Sequence, residues 1–341
     1  MQQLCVDEDW AGQRLDNFLL RELKGVPKTH IYRIIRSGEV RINKGRAKAD
    51  TRLQAGDVLR LPPVRTAQST QPQDESPAYA AAKNAAVANL IRQIPILYED
   101  EALIALDKPA GLAVHGGSGI SLGVIETLRR ARPTAKYLEL VHRLDRETSG
   151  ILLVAKKRSA LVHLQNQFKQ RETGKTYLAL VRGLWPAKLK LVDQYLQRYL
   201  LPPLAGQDEG ERRVRIVSSD AAGAQRAISL VHIEQSLQLP LPEQAALPAS
   251  LLAVTIKTGR THQIRVHLAG NGHAILGDDK YGDYSLNKNL ARAGYKRMFL
   301  HAWRLRVVHP VSGAQMQLES ALPPELQQWL DAARASLSHM T

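Results

Sequence analysis

The sequence predicts an α+β protein built as two folded units, and three observations carry that prediction. The chain has 341 residues, 44% of them hydrophobic, which is too long for one small domain and enough for a sizeable core. Its apolar residues fall into two kinds of run. Short stretches of Leu, Ile and Val between turn residues read as strands, and stretches spaced three and four apart read as helices. Between an early and a late group of such runs, residues 66–87 mix Gln, Ser, Thr, Pro, Asp and Ala with almost no large apolar residue. That is connector composition. The expected division is a small unit over 11–65, a linker over 66–93 and a larger unit over 94–335.

The formal charge of +15 and a pI near 10.0 point to a polyanionic partner, with nucleic acid first and an anionic membrane surface second. The charge is concentrated. Residues 11–65 hold 13 Lys and Arg against 5 Asp and Glu, so half the excess lies in about a sixth of the chain. No apolar run reaches the ~18 residues of a membrane span. Asp7, Glu8 and Asp9 argue against a targeting peptide. Cys5 is the single cysteine, which excludes an internal disulfide and a cysteine-rich zinc site. A soluble, cytoplasmic, monomeric protein is expected.

In the small unit, Leu15, Phe18, Leu19 and Leu23 share one helical face. Gly25 and Pro27 separate this helix from a second, in which Ile31, Ile34 and Ile35 face inward and Arg33 and Arg36 outward. Gly38 ends it, and Val40–Asn43 reads as a strand running into a Lys44-Gly45 turn. A basic helix face beside a strand carrying Arg41 and a turn carrying Lys44 is suited to docking RNA, although an ordinary solvated face has the same pattern.

In the larger unit, Pro95–Tyr98 and Leu103–Leu106 read as strands around an acidic turn. Gly116-Gly117-Ser118-Gly119 could cradle a phosphate but lacks the Gly-Lys-Ser/Thr ending of a nucleotide loop. Tyr137–Val141 and Ile151–Ala155 read as strands bracketing a polar loop with Asp145 inside it. A helix capped by Ser159 precedes a strand over Lys175–Val181, which places Lys175, Tyr177 and Ala179 on one side. Pro202-Pro203 and Leu237–Pro248 look like surface insertions. Leu251–Ile256 is a strand leading to a helix capped by Thr261 and stopped at Gly270-Asn271-Gly272. Leu326, Trp329, Leu330 and Ala333 mark a last amphipathic helix. His262 and His267 face opposite sides of a strand and have no third ligand nearby, so no metal centre is expected.

The Asp145 loop carries the chemistry. Arg143 and Arg146 flank the carboxylate in sequence, and an adjacent guanidinium favours its charged form. Asp145 is therefore expected to stay ionised, as a nucleophile or an electrostatic partner. The plainer alternative is a surface turn laced with ion pairs.

The nine residues His142-Arg143-Leu144-Asp145-Arg146-Glu147-Thr148-Ser149-Gly150 closely resemble the signature of the pseudouridine synthases that modify large-subunit ribosomal RNA. Lys108-Pro109 through Gly111 to Val114-His115 resembles the first motif of that family. Lys175, Tyr177 and Ala179 match its Lys-x-Tyr-x-Ala motif, and Thr258–His267 its third. The likeness continues through Ile275–Asp278, Lys280–Gly282, Leu300–Ala302 and His309-Pro310, and spans about residues 10 to 335. Residues 14–61 resemble the small RNA-binding domain named after ribosomal protein S-four. Gly223–Ser229 departs from the pattern, lacking a Lys and a Thr usual there, which puts edge contacts in doubt.

The resemblance implies a mixed, largely antiparallel sheet with flanking helices and a central cleft. It makes Asp145 the catalytic carboxylate, places Tyr177 against the target uracil, and pairs Arg265 with Asp145. Arg143 would fill the space left by a displaced base. His142, Arg146, Lys175, Arg260 and Leu276 are expected along the RNA, with Arg33, Arg36, Arg41 and Lys44 holding it from the small unit. Isomerising uridine involves no redox step, so no cofactor or metal is expected. A single reactive carboxylate disfavours a glycoside hydrolase, which uses two. The remaining alternatives are a non-catalytic RNA-binding assembly protein and a synthase acting on other rRNA or tRNA uridines.

Overall fold

The structure, a computed structural model, describes residues 2–7, 10–23, 26–64, 94–116, 123–202, 210–241 and 245–338, with 336–338 described by their backbone only. The expected linker over 66–93 lies outside the described residues, as do Gly117, Ser118 and Gly119 of the glycine cluster.

The small unit contains β1 (Gln2–Cys5), α1 (Leu15–Glu22), α2 (Lys28–Arg36), β2 (Arg41–Ile42), β3 (Gly45–Arg46) and β4 (Val58–Leu61). Its sheet runs β1-β4-β2-β3. The apolar faces of both helices are buried as their spacing requires. Leu15, Phe18, Leu19, Ile31, Ile34 and Ile35 form one core with Leu59 and Leu61 of β4. Arg33 and Arg36 stay outside. Trp10 meets the larger unit, where its ring lies 5.2 Å from that of Tyr137, with the Arg21 guanidinium over its face. Nearby, Arg158 Nη2 donates to the Gly12 carbonyl at 3.4 Å.

The larger unit contains β5 (Ile96–Glu99), β6 (Leu103–Lys108), α3 (Val124–Ala131), β7 (Glu139–Leu140), β8 (Ser149–Ala155), α4 (Arg158–Gln170), β9 (Gly174–Arg182), β10 (Leu191–Leu200), β11 (Arg212–Val217) and β12 (Gln225–Leu239). It continues with β13 (Leu247–Ile256), α5 (Gln263–Gly270), α6 (Tyr284–Arg292), β14 (Leu300–Val308), β15 (Gln315–Glu319) and α7 (Pro324–Ser338). One sheet runs β11-β10-β12-β13-β9-β14-β8-β6-β5, with β15 on β14 and β7 on β8. Among the described residues only β14 and β8 pair in parallel, so the sheet is mixed and largely antiparallel, as expected.

β8 is buried along its whole length, which explains an apolar run with no polar alternation. Its parallel contact with β14 depends on Gly150. That residue has φ +106°, and a Cβ there would stand 2.3 Å from the Ala302 carbonyl oxygen. Only glycine lets the two backbones meet, and the meeting point fixes where the Asp145 loop ends.

Three local expectations need correction. At the ends of the expected Leu237–Pro248 insertion, Leu237–Leu239 and Leu247–Pro248 are strand residues of the β12–β13 hairpin, while 242–244 lie outside the described residues. Leu237 and Leu239 are buried in one core with Trp329 and Leu330 of α7. α4 starts at Arg158 behind Lys157, so Ser159 lies inside it and no side chain caps it. α5 starts at Gln263 behind His262, whose left-handed φ of 52° makes the turn expected at Thr261. Among the described residues no helix is long and apolar enough to cross a membrane.

Candidate active site

Five segments converge on one cavity of about 510 Å³: the loop between β7 and β8, the end of α4, the start of β9, one face of β10 and the turn from β13 into α5. Asp145, Tyr177, Arg265, Arg143, His142, Lys175 and Arg260 all line it. The lining carries eight Lys and Arg side chains and one carboxylate, Asp145.

Asp145 is partly open to the cavity, its side chain 21% exposed, while Arg265 behind it is 3% exposed. Arg265 Nη1 lies 3.6 Å from Asp145 Oδ2. The rest of the guanidinium is anchored by Asp278, with Nε donating to Oδ2 at 2.7 Å and Nη2 to Oδ1 at 2.6 Å. Nη2 also reaches Asp279 Oδ1 at 3.2 Å. Burial works against this cation, but Asp278, Asp145 and Asp279 together raise its pKa above the usual guanidinium value. Asp278 is fully buried and also accepts the Lys280 and Tyr281 backbone N–H groups on Oδ1. The result is a guanidinium fixed by Asp278 and Asp279 with Nη1 left to face Asp145.

His262 approaches Asp145 from a second side, with Nε2 3.9 Å from Oδ2. The Val214 N–H donates to the Tyr281 hydroxyl at 3.0 Å, and that hydroxyl lies 2.8 Å from His262 Nδ1. Tyr281 thereby orients the ring so that its Nε2 faces Asp145. Burial lowers the His262 pKa against the opposing pull of Asp145, so the ring is neutral at pH 7. Burial likewise pushes the Tyr281 hydroxyl up to about 12.

Tyr177 stands on β9 opposite Val254 and Ala302. Burial, reinforced by the charge of Asp145, raises its pKa, so its hydroxyl stays protonated as a donor. Lys175, two residues earlier, is buried with its ammonium 5.4 Å from the Phe168 ring, and burial and then Arg171 lower its pKa.

His142 holds the loop to the sheet. Its Nε2 accepts the Leu153 N–H at 3.1 Å and its ring stacks on Phe168 at 4.9 Å. Burial, then Lys175, lowers its pKa to about 4, so it is neutral. Lys108 holds the other end of the loop. Fully buried, its ammonium donates to the carbonyls of Pro109 and Leu112 at 2.8 Å and of Arg146 at 3.0 Å. Burial lowers its pKa to about 7.

Arg146 and Leu276 stand elsewhere. Arg146 Nε donates to Glu147 at 2.7 Å with the side chain 61% exposed, so the cation beside Asp145 is Arg265 and not this sequence neighbour. Leu276 is 1% exposed in the core, too deeply packed to touch RNA. Arg33, Arg36, Arg41 and Lys44 lie on the small unit, and among its described residues none of the four is ion-paired. Arg33 reaches His30, Arg36 the Tyr32 carbonyl and Arg41 the Lys44 carbonyl. Sequence reasoning missed Asp278, Lys108, Lys169, Arg171, Arg198 and Lys257 as parts of the site. A carboxylate straight after Gly277 and a Lys-Pro at a strand end were the only available signals, and only for the first two. Among the described residues, no group of three or more His, Cys, Asp and Glu is placed to hold a metal ion.

A sequence profile described as RNA pseudouridylate synthase matches residues 102–270, and one for the S4 domain matches residues 13–59. The chain is 46% identical over 338 residues to "Ribosomal large subunit pseudouridine synthase C" of Pasteurella multocida (strain Pm70), covering 99% of this chain and 95% of that protein. It is 45% identical over 333 residues to the protein of the same name from Escherichia coli (strain K12), with 97% and 96% covered. Among solved structures, that of "Human RNA Pseudouridylate Synthase Domain Containing 4" superposes with a TM-score of 0.55 at 26% identity, covering 75% of this chain and 98% of that one.

Proposed function

The chain belongs to the RNA pseudouridylate synthase family, and on that premise we propose that it turns uridines of large-subunit ribosomal RNA into pseudouridine. Asp145 is the catalytic carboxylate, and the target base is turned out of its stack into the cavity. The observation that carries this assignment is the isolation of Asp145, the one acid in a cavity lined by eight cations, with a buried guanidinium 3.6 Å behind it.

The reaction breaks the bond from uracil N1 to ribose C1′, rotates the base and joins C1′ to C5. C5 loses a proton, N1 regains one, and no atom enters or leaves. An ionised carboxylate facing the sugar and base serves this sequence by attacking the sugar, by adding to the ring or by assisting proton abstraction. Arg265 keeps Asp145 charged in each case. The Tyr177 ring forms a wall for the flat base, and its protonated hydroxyl is a donor for proton transfer.

Extracting a paired base costs roughly a few kcal/mol. The exposed Arg143 guanidinium at the cavity mouth is placed to stack in the vacated space. The small unit adds phosphate affinity without chemistry, the larger unit carries the reaction, and the protein works as a monomer. Mapping pseudouridine in ribosomal RNA from cells with the gene, without it, and with Asp145→Asn tests the reading. Asp145→Asn should bind RNA normally and leave its uridines unmodified. Activity within about tenfold of wild type, a barrier change of only ~1.4 kcal/mol, would remove Asp145 from the mechanism.

A further inference from the structure

The active cavity does not end at Arg260. A second hollow of about 190 Å³ adjoins it and shares three of its lining residues, Arg198, Arg260 and Thr261. Its other side is the turn between β11 and β12, with Ala222 and Gly223, and its floor includes Gln197. The floor is preformed: Gln197 Nε2 donates to the Ala222 carbonyl at 2.7 Å, and its Oε1 accepts from Arg215 Nε at 3.0 Å.

The charges around this hollow are unbalanced. Arg226 is neutralised by Asp193, with its Nε donating at 2.9 Å. Arg260 is steadied by Nε donating to the Arg226 carbonyl at 3.2 Å, and among the described residues its two terminal nitrogens have no protein acceptor. Arg198 is exposed on β10 and, among the described residues, its side chain makes no hydrogen bond or ion pair. Two guanidiniums thus stand on the rim common to both hollows with no carboxylate to answer them. A planar guanidinium with free paired donors suits a phosphate diester.

We propose that the smaller hollow is a subsite for the nucleotide next to the target along the RNA, its connecting phosphate held between Arg198 and Arg260. This rests on the reading of the main cavity as the seat of the target uridine. A polynucleotide whose nucleotide fills the 510 Å³ cavity must leave it through a phosphate, and the shared rim offers an exit with two cations and a second hollow beyond it. The side hollow, little over a third of that volume, has room for the base of one neighbour and not for a duplex. The β11–β12 turn then touches the substrate at Gly223, where no atom lies within 4 Å of a would-be Cβ.

Phosphate-ethylation interference on a large-subunit ribosomal RNA transcript tests the subsite. Ethylation neutralises single phosphates, and bound and unbound fractions reveal which ones matter. With wild type, ethylating one phosphate adjacent to a modified uridine should weaken binding by about tenfold or more, the effect of a lost charged hydrogen bond. With Arg198→Met that phosphate should become insensitive while the remaining pattern persists, and Arg198→Lys should restore part of the sensitivity. Arg33→Met in the small unit should change a different phosphate. Identical patterns for wild type and Arg198→Met, on RNA that does acquire pseudouridine, would overturn the subsite alone. RNA that acquires none would overturn the functional reading and the subsite with it.

Discussion

Replacing Asp278 with Asn isolates the electrostatic core of the site. The side chain keeps its shape, and Oδ1 can still accept the Lys280 and Tyr281 N–H groups. What disappears is the charge facing a guanidinium that is 3% exposed. Arg265 is left with Asp145 at 3.6 Å and the largely exposed Asp279 at 3.2 Å, while an amide NH2 presses against its own donors. Breaking a buried pair from one side costs about 3–5 kcal/mol. For a domain of this size that corresponds to a fall of roughly 6–20 °C in Tm.

The same change frees Arg265 to swing toward Asp145, and a displacement of about 1 Å in a reacting group can cost roughly a hundredfold in rate. Thermal unfolding reads the first effect, and single-turnover pseudouridine formation well below Tm reads the second. The double variant Arg265→Met with Asp278→Asn separates them. With no buried cation left to satisfy, it should recover much of the lost stability yet stay inactive. A Tm within about 2 °C of wild type for Asp278→Asn, together with a normal rate, would refute the claim that Asp278 sets the charge behind Asp145.

Tyr177→Phe keeps the ring and deletes the hydroxyl, so RNA affinity should hold while turnover drops about a hundredfold or more; a wild-type single-turnover rate would reduce Tyr177 to a wall. His142, partly buried in the cavity wall, and His267, fully buried, are neutral with pKa values lowered from 6.5 to about 4. The unfolded chain therefore binds more protons between those values, and each ring should cost up to about 1.4 kcal/mol of stability per pH unit as pH falls from 6.5 toward 4. Urea unfolding across that window checks this, and a flat profile would show that the rings titrate normally. Replacing Arg33, Arg36, Arg41 and Lys44 with Ala should flatten the plot of log K against log salt by about 0.7 to 0.9 for each phosphate these side chains neutralise; an unchanged slope would make their charge incidental to RNA binding.

What could be read before folding was whatever local spacing specifies. β8 announced itself as an unbroken apolar run, α1 and α2 as faces of Leu and Ile, and the Asp145 loop as the polar stretch between two strands. Pairings between distant segments left no such trace. Arg265 and Asp278 are 13 positions apart, and Lys108 reaches the Arg146 carbonyl across 38. Adjacency in sequence even misled: Arg146, beside Asp145 in the chain, turns away to Glu147. The β12–β13 hairpin was mistaken for an insertion because its prolines resemble loop punctuation, whereas burial of Leu237 and Leu239 depends on α7, which comes much later in the chain. Arg198 was invisible for a further reason: nothing local distinguishes a cation on a cavity wall from one on an outer face.

The packing of Trp10 between Arg21 and Tyr137 bears on how affinity is assembled. Two binding surfaces joined only by a flexible chain meet the same RNA with an effective concentration set by random excursions of that chain, typically millimolar at best. Surfaces held in a set orientation behave as a chelate, reinforcing each other strongly on an RNA whose phosphates match their spacing and hardly at all on one whose phosphates do not. The aromatic contact at Trp10 therefore makes the distance between the basic face of α2 and the Asp145 cavity a property of the protein. A ribosomal RNA would be chosen by its three-dimensional span as well as by the uridine it offers.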